Sequence, residues 1–181
     1  NGFKVFMFDG VRSTPMLSFA IRHLNAAAGD MFSASHNLPT DNGKKVYDHL
    51  GGQLIPPHDQ VLVDEVTENV KEIARMPYDE AVEKGLAQTL SESVDKAFID
   101  AIRTVSLSSE REIKILYAPL HGTGITSLYP ALRAEGFEVL LDPKTSNFSG
   151  AFENVTFNIP NPEVAQSFDT AYAPAEKTGA D

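Results

Sequence analysis

An α/β fold follows from three observations on this 181-residue sequence. Short apolar runs closed by Gly, Pro, Asn or Asp alternate with longer stretches of helical periodicity, the pattern of strand–helix–strand units. The alternation occurs near each end of the chain and is interrupted by a short polar stretch at 107–111. The turns that follow the strands carry small and hydroxylic residues, as ligand-bearing turns do at the carboxyl ends of strands in open α/β sheets. The prediction is two incomplete α/β domains, 1–107 and 108–181, with mixed and parallel sheets flanked by helices.

Lys4-Val5-Phe6-Met7-Phe8, closed by Asp9-Gly10, reads as a buried strand. Ser13-Thr14-Pro15 is a helix start with Thr14 as N-cap and Pro15 in the first helical position. Met16, Leu17, Phe19, Ala20, Ile21 and Leu24 form that helix's apolar face, and Gly29 ends the segment. Met31-Phe32 then lead, as a short strand, into a polar loop. Beyond the loop, Val46-Tyr47 and Gln53-Leu54-Ile55 suggest two short strands, and Pro56-Pro57-His58-Asp59 breaks the pattern. Val61, Val63, Val66, Val70 and Ile73 mark an amphipathic helix. The stretch 76–90 has no clear period, and 91–105 reads as a helix with Val94, Phe98, Ile99 and Ile102 on one side. In the second half, 113–117 is a strand, 125–135 a helix and 137–141 a strand, forming one βαβ unit with parallel pairing. A loop rich in Gly, Ser and Asn runs over 142–159, and Pro160-Asn161-Pro162-Glu163 opens a last helix with Pro162 in its first turn.

Composition narrows the function. The chain is 42% hydrophobic and 22% charged, as globular proteins are, and no apolar run is long enough to span a bilayer. A net charge of −10 argues against nucleic acid, so any anion site must be local. The absence of cysteine excludes disulfides and thiolate metal sites and fits a reducing, cytoplasmic setting. The chain begins at Asn1 without Met and stops after a helical pattern, which reads as a piece cut from a longer protein.

The chemistry concentrates in Phe32-Ser33-Ala34-Ser35-His36-Asn37-Leu38-Pro39-Thr40-Asp41-Asn42-Gly43-Lys44-Lys45. Small residues let a ligand approach the backbone, and Asn, Pro, Asp and Gly supply turns. A hydroxyl, an imidazole and an ammonium in one loop suit a phosphoryl group. Ser-Ala-Ser-His-Asn followed by Asn-Gly-x-Lys resembles the phosphoserine loop of the α-D-phosphohexomutases (phosphoglucomutase and phosphomannomutase). The segment Tyr117-Ala118-Pro119-Leu120-His121-Gly122-Thr123-Gly124 is similar to the opening of that family's second domain, and Pro160-Asn161-Pro162-Glu163 to a motif before its next helix.

The resemblance implies a phosphosugar mutase acting through a phosphoserine and a bisphosphorylated sugar, with a hexose or pentose phosphate as substrate. It makes Ser35 the phosphoryl carrier, Lys45 the general base and His36 a donor or orienting group. His121 and Gly122 are implied to bind substrate or phosphate, where a glycine turn at a helix N-terminus makes a plausible anion site. It implies Mg²⁺, held by the phosphate on Ser35 and by an acidic loop one strand beyond Asp181, and a sugar bisphosphate as activator. The sugar-reading domains would be further parts of the same chain, so these residues alone are expected to be inactive. A lysine acts as a base near neutral pH only if burial or a like charge favours its neutral form, and Lys44 would be the neighbouring cation. One departure stands out: the family's Ser-His-Asn-Pro reads Ser-His-Asn-Leu-Pro here, which re-routes the loop while keeping the spacing from Ser35 to Lys45. The alternative reading is a non-catalytic phosphosugar-binding α/β module. A serine hydrolase built on Ser35 with His36 or His121 is disfavoured, because no Gly-x-Ser-x-Gly elbow is present.

Overall fold

A computed structural model describes residues 2–181 as an α/β chain, with parallel and antiparallel strand pairs flanked by helices. The first apolar run forms β1 (Val5–Met7). Its partner is distant in sequence: β4 (Ala87–Thr89) runs parallel to it, with Val5 opposite Ala87. Burial of β1 is incomplete, Val5 and Met7 remaining 49% and 45% exposed, because a two-stranded sheet offers little surface to cover it.

Helix α1 (Thr14–His23) starts one residue earlier than the sequence suggested. Ser13 takes the extended N-cap conformation (φ −75°, ψ 153°), so Pro15 is the second helical residue. Pro is tolerated there because first-turn N–H groups have no intrahelical acceptor. Met16, Ala20 and Ile21 are buried, each large one worth roughly 1.5–3 kcal/mol of apolar burial. Gly29 does not end the helix. It lies in β2 (Ala28–Phe32), where an added Cβ would stand 2.6 Å from Ile21 Cδ1, so its bareness lets α1 lie on the strand. β3 (Lys44–Asp48) pairs antiparallel with β2, Met31 opposite Lys45 and Phe32 opposite Lys44. The second expected strand reduces to a single bridge between Tyr47 and Gln53.

Helix α2 (His58–Glu68) stops before Val70 and Ile73 and buries nothing. Val61, Val63 and Val66 are each more than half exposed, so its valines find no core among the described residues. The stretch without a period holds α3 (Tyr78–Glu83) and β4, which sequence reading did not anticipate. α4 (Glu92–Arg103) matches expectation, with Val94 and Phe98 buried and Phe98 edge-on to Phe19 at 5.5 Å. Helix α1 thus packs between the β2–β3 ribbon and α4. Arg12 ties the β1–α1 turn to α4 through Asp95, Nη2 lying 2.7 Å from Oδ2 and Nε 3.0 Å from Oδ1.

The second half is built on β5 (Lys114–Tyr117) and β6 (Glu138–Leu141), which pair in parallel as predicted. The single helix expected over 125–135 is broken. A 3₁₀ turn (Thr123–Thr126) gives way at Ser127 (φ −129°, ψ −66°) to α5 (Leu128–Ala134). Pro130 explains the break: lacking an N–H, it fits only in the first turn of a helix, which forces a fresh start at Leu128. Pro162 likewise opens no helix. Asn161 Oδ1 accepts the Glu163 N–H at 2.9 Å, an Asx turn that holds the chain out of helical register. A 3₁₀ turn (Ala165–Phe168) and α6 (Asp169–Thr178) follow later.

Glu135, at the end of α5, joins the halves. Its carboxylate pairs with Arg103 of α4 at 2.9 Å and with Arg111 of the connecting stretch at 2.6 Å. The Ser106 hydroxyl, then Arg103 and Arg111, hold Glu135 below its ordinary value of 4.5. A carboxyl lowered in the folded state contributes stability above its unfolded value, and loses it as pH falls through the folded one. Glu135→Gln should therefore flatten the acid limb of the stability curve below about pH 4.5, read by urea unfolding at stepped pH. An unchanged acid limb would show that the cluster contributes nothing.

Candidate active site

The β2–β3 ribbon carries the phosphoserine-like loop between its strands. Ser33 N–H donates to the Gly43 carbonyl at 2.9 Å, closing the loop at its base, and Asn37 N–H to Ala34 O begins a turn at its tip. Gly43 is needed for closeness: a Cβ there would stand 2.9 Å from the Ser33 carbonyl oxygen, which is backbone and cannot swing away. Gly43→Ala is expected to cost about 1–3 kcal/mol and to displace the loop. Thermal unfolding would read the first effect and the amide shifts of residues 33–37 the second.

Ser35 is exposed at the loop's tip with a left-handed backbone (φ 59°), a conformation that side chains other than Gly, Asn and Asp seldom adopt. Its N–H is held by Ser33 Oγ at 3.0 Å, and its Oγ lies 3.0 Å from His36 Nδ1. With its proton on Nε2, His36 accepts the Ser35 hydroxyl proton. Lys45 sits one strand position from Lys44, so the two project from opposite faces. Lys44 reaches outward to Asp30 at 3.4 Å and lies over the Phe32 ring. Lys45, half-buried, shares the face of Gly29, Met31 and buried Tyr47, and has no ion pair among the described residues. Lys44 is therefore not the neighbouring cation for Lys45 that adjacency in sequence suggested.

Ser35 lines a cleft of ≈ 740 Å³ whose other walls come from the second half: Tyr117, Leu120, Gly122, Phe152, Phe168 and Tyr172 among others. The Gly122 turn thus faces the same space as Ser35. His121 does not line it. That side chain is 5% exposed, with both ring nitrogens on backbone carbonyls, Nδ1 on Asn147 at 2.7 Å and Nε2 on Glu153. No ring nitrogen is left for a ligand. Sequence reasoning missed the aromatic lining: Phe152 lies outside the helices and strands, Phe168 ends a 3₁₀ turn, and Tyr172, though in the last helical stretch, has no spacing that marks it for a ligand. Burial raises the Tyr117 hydroxyl above its ordinary value, so the phenol is neutral at the cleft's floor.

Comparison with known proteins adds what geometry alone leaves open. The family model for the phosphoglucomutase/phosphomannomutase alpha/beta/alpha domain I matches residues 1–72, and that for domain II matches 96–181. The chain belongs to this family. A phosphoglucomutase of Staphylococcus saprophyticus is 31% identical over 99% of this chain and 33% of its own length. A phosphoribomutase of Saccharomyces cerevisiae is 31% identical over 98% of the chain and 31% of its own length, and a human phosphopentomutase 29% over 99% and 30%. A solved structure from Thermus thermophilus, assigned as a phosphomannomutase, superposes with a TM-score of 0.75 at 27% identity, over 96% of this chain and 37% of that one. The chain spans about a third of the length of the curated relatives it matches.

For a member of this family, the described residues do not make a Mg²⁺ site by themselves. No group of three or more His, Cys, Asp or Glu side chains converges among them, whereas a hard cation takes about six oxygen ligands. What the site does supply is an exposed hydroxyl, an imidazole on it, and an apolar cleft with a glycine turn on the far wall.

Proposed function

We propose that the protein is a phosphosugar mutase, an intramolecular phosphotransferase in which Ser35 carries the phosphoryl group. The observation that carries the reading is Ser35 Oγ, exposed on a tied-down loop and opening on a cleft. In the first half-reaction the Ser35 Oγ–P bond breaks as a sugar hydroxyl oxygen bonds to phosphorus, and the departing Ser35 Oγ takes a proton from His36, 3.0 Å away. The hydroxyl proton passes to Lys45, acting as the base. The bisphosphorylated sugar turns over and returns its other phosphoryl group to Ser35, whose proton goes back to His36, while the sugar oxygen that is released takes the proton held by Lys45. Such transfer depends on positioning and charge neutralisation more than on covalent assistance. Gly122 gives the phosphate room on the far wall, its own N–H being taken by the Pro119 carbonyl at 2.8 Å. Mg²⁺ on the Ser35 phosphate, a sugar bisphosphate that first loads the serine, and further domains of the same protein that read the sugar complete the proposal. Hexose and pentose phosphates both remain within it, since relatives named for glucose, ribose and pentose phosphates align over nearly the whole chain. The setting is cytoplasmic, and no described helix is long and apolar enough to cross a membrane.

The test is intact mass and phosphopeptide mapping of the full-length protein, with and without glucose 1,6-bisphosphate. One phosphoryl group on Ser35, removed by a sugar monophosphate, is the expected result. No phosphate on Ser35 under any loading would end the mutase reading in favour of a sugar-phosphate-binding module. The 181 residues by themselves, with no metal cluster among those described, should not interconvert sugar phosphates.

A further inference from the structure

His121 is the buried titratable group that the proposed chemistry does not use. It follows Leu120 in the turn after β5, and both have left-handed backbones (φ 51° and 61°). Each such residue is strained and persists only where its surroundings enforce it. Here the enforcement comes from the loop after β6. His121 N–H donates to Thr145 O at 2.8 Å, Nδ1 faces Asn147 O at 2.7 Å, and Nε2 faces Glu153 O.

Carbonyl oxygens accept hydrogen bonds, so each ring nitrogen is set against an acceptor of the loop after β6, in a site closed to water at 5% exposure. That loop is itself anchored. Asp142 accepts from Thr145, Thr170 and the Lys144 N–H, and Asn154 donates its side-chain amide to the Lys144 carbonyl.

We infer that His121 is a positioning residue, bolting the loop at Asn147 and Glu153 to the β5 turn and so fixing Gly122 on the wall facing Ser35. Its bearing on phosphoryl transfer rests on the mutase reading; the bolt itself does not. Without the ring contacts the left-handed turn at Leu120-His121 has less to hold it.

Histidine-labelled ¹⁵N NMR of the full chain tests the bolt directly. A ring N–H at His121 that exchanges with solvent as slowly as the amides of 145–155 is expected. A ring N–H that exchanges as freely as those of exposed histidines overturns the inference. This arm needs no altered protein, so it decides even if a variant fails to fold. In the second arm, His121→Gln should raise the apparent KM for glucose 1,6-bisphosphate in loading of Ser35 on the order of tenfold, with the maximal loading rate little changed. An unchanged KM overturns the positioning role and leaves the mutase reading standing. No loading in the unaltered protein overturns the mutase reading and leaves the NMR arm standing.

Discussion

Ser35→Ala should abolish sugar-phosphate interconversion in the full-length protein, by at least about a thousandfold, equivalent to roughly 4 kcal/mol of barrier. Ser35 is the only residue of the loop that lines the cleft, so no neighbouring hydroxyl replaces it. Ser33 Oγ is occupied by the Ser35 N–H. Misfolding must be separated from lost chemistry, and the backbone provides the means. Ser35 is left-handed at φ 59°, where glycine carries no Cβ penalty. Ser35→Gly should therefore be at least as stable as the unaltered protein and equally inactive. Activity measured by a coupled assay, with thermal unfolding alongside, reads both. Retained turnover in either variant would remove Ser35 from the reaction.

The largest stability effect is expected at Asp142, which is fully buried at the end of β6. Its carboxylate receives the Thr145 hydroxyl at 2.7 Å, the Thr170 hydroxyl at 2.8 Å and the Lys144 N–H at 3.1 Å, tying the strand, the loop and α6 together. Asp142→Ala leaves those donors without acceptors, Thr145 among them fully buried, and should cost about 3–5 kcal/mol. Asp142→Asn keeps the volume and one acceptor oxygen. Hydroxyls rotate to accept as well as donate, so the asparagine variant should lose less than about 2 kcal/mol. Urea unfolding of the pair checks this, and equal losses would mean that the hydroxyl network adds nothing beyond filled space.

Part of this was legible in the residues. The apolar runs at 4–8 and 113–117, the period of α4 and the turn chemistry around Ser35 are local signals, and local signals are what a sequence displays. β4 was not legible, because Ala87-Gln88-Thr89 has no period of its own and is a strand only through β1, which lies far earlier in the chain. Pro130 and Asn161 were readable in principle: one marks a first turn and the other an Asx turn, and both outweigh the apolar spacing that suggested continuous helices. The placement of His121 was beyond reach. Its partners are carbonyl oxygens 26 and 32 residues away, and every residue type carries such an oxygen. Lys44 and Lys45 show a subtler limit. Adjacency in sequence implied shared electrostatics, whereas the strand sends the two side chains to opposite sides.

That alternation bears on how the segment tolerates insertions and deletions. Between Ser33 and Gly43 the chain is closed at its base by one backbone bond and projects outward, so a residue gained or lost there changes the outline of the projection and nothing below it. A proline moved by one place, as in Asn37-Leu38-Pro39, is a change of this tolerated kind. Between Lys44 and Tyr47 the same event would reverse the parity of the strand. It would turn Lys45 outward and drive Tyr47 from the core. Length drift in descendants of this gene should accumulate in the loop and stop sharply at Lys44.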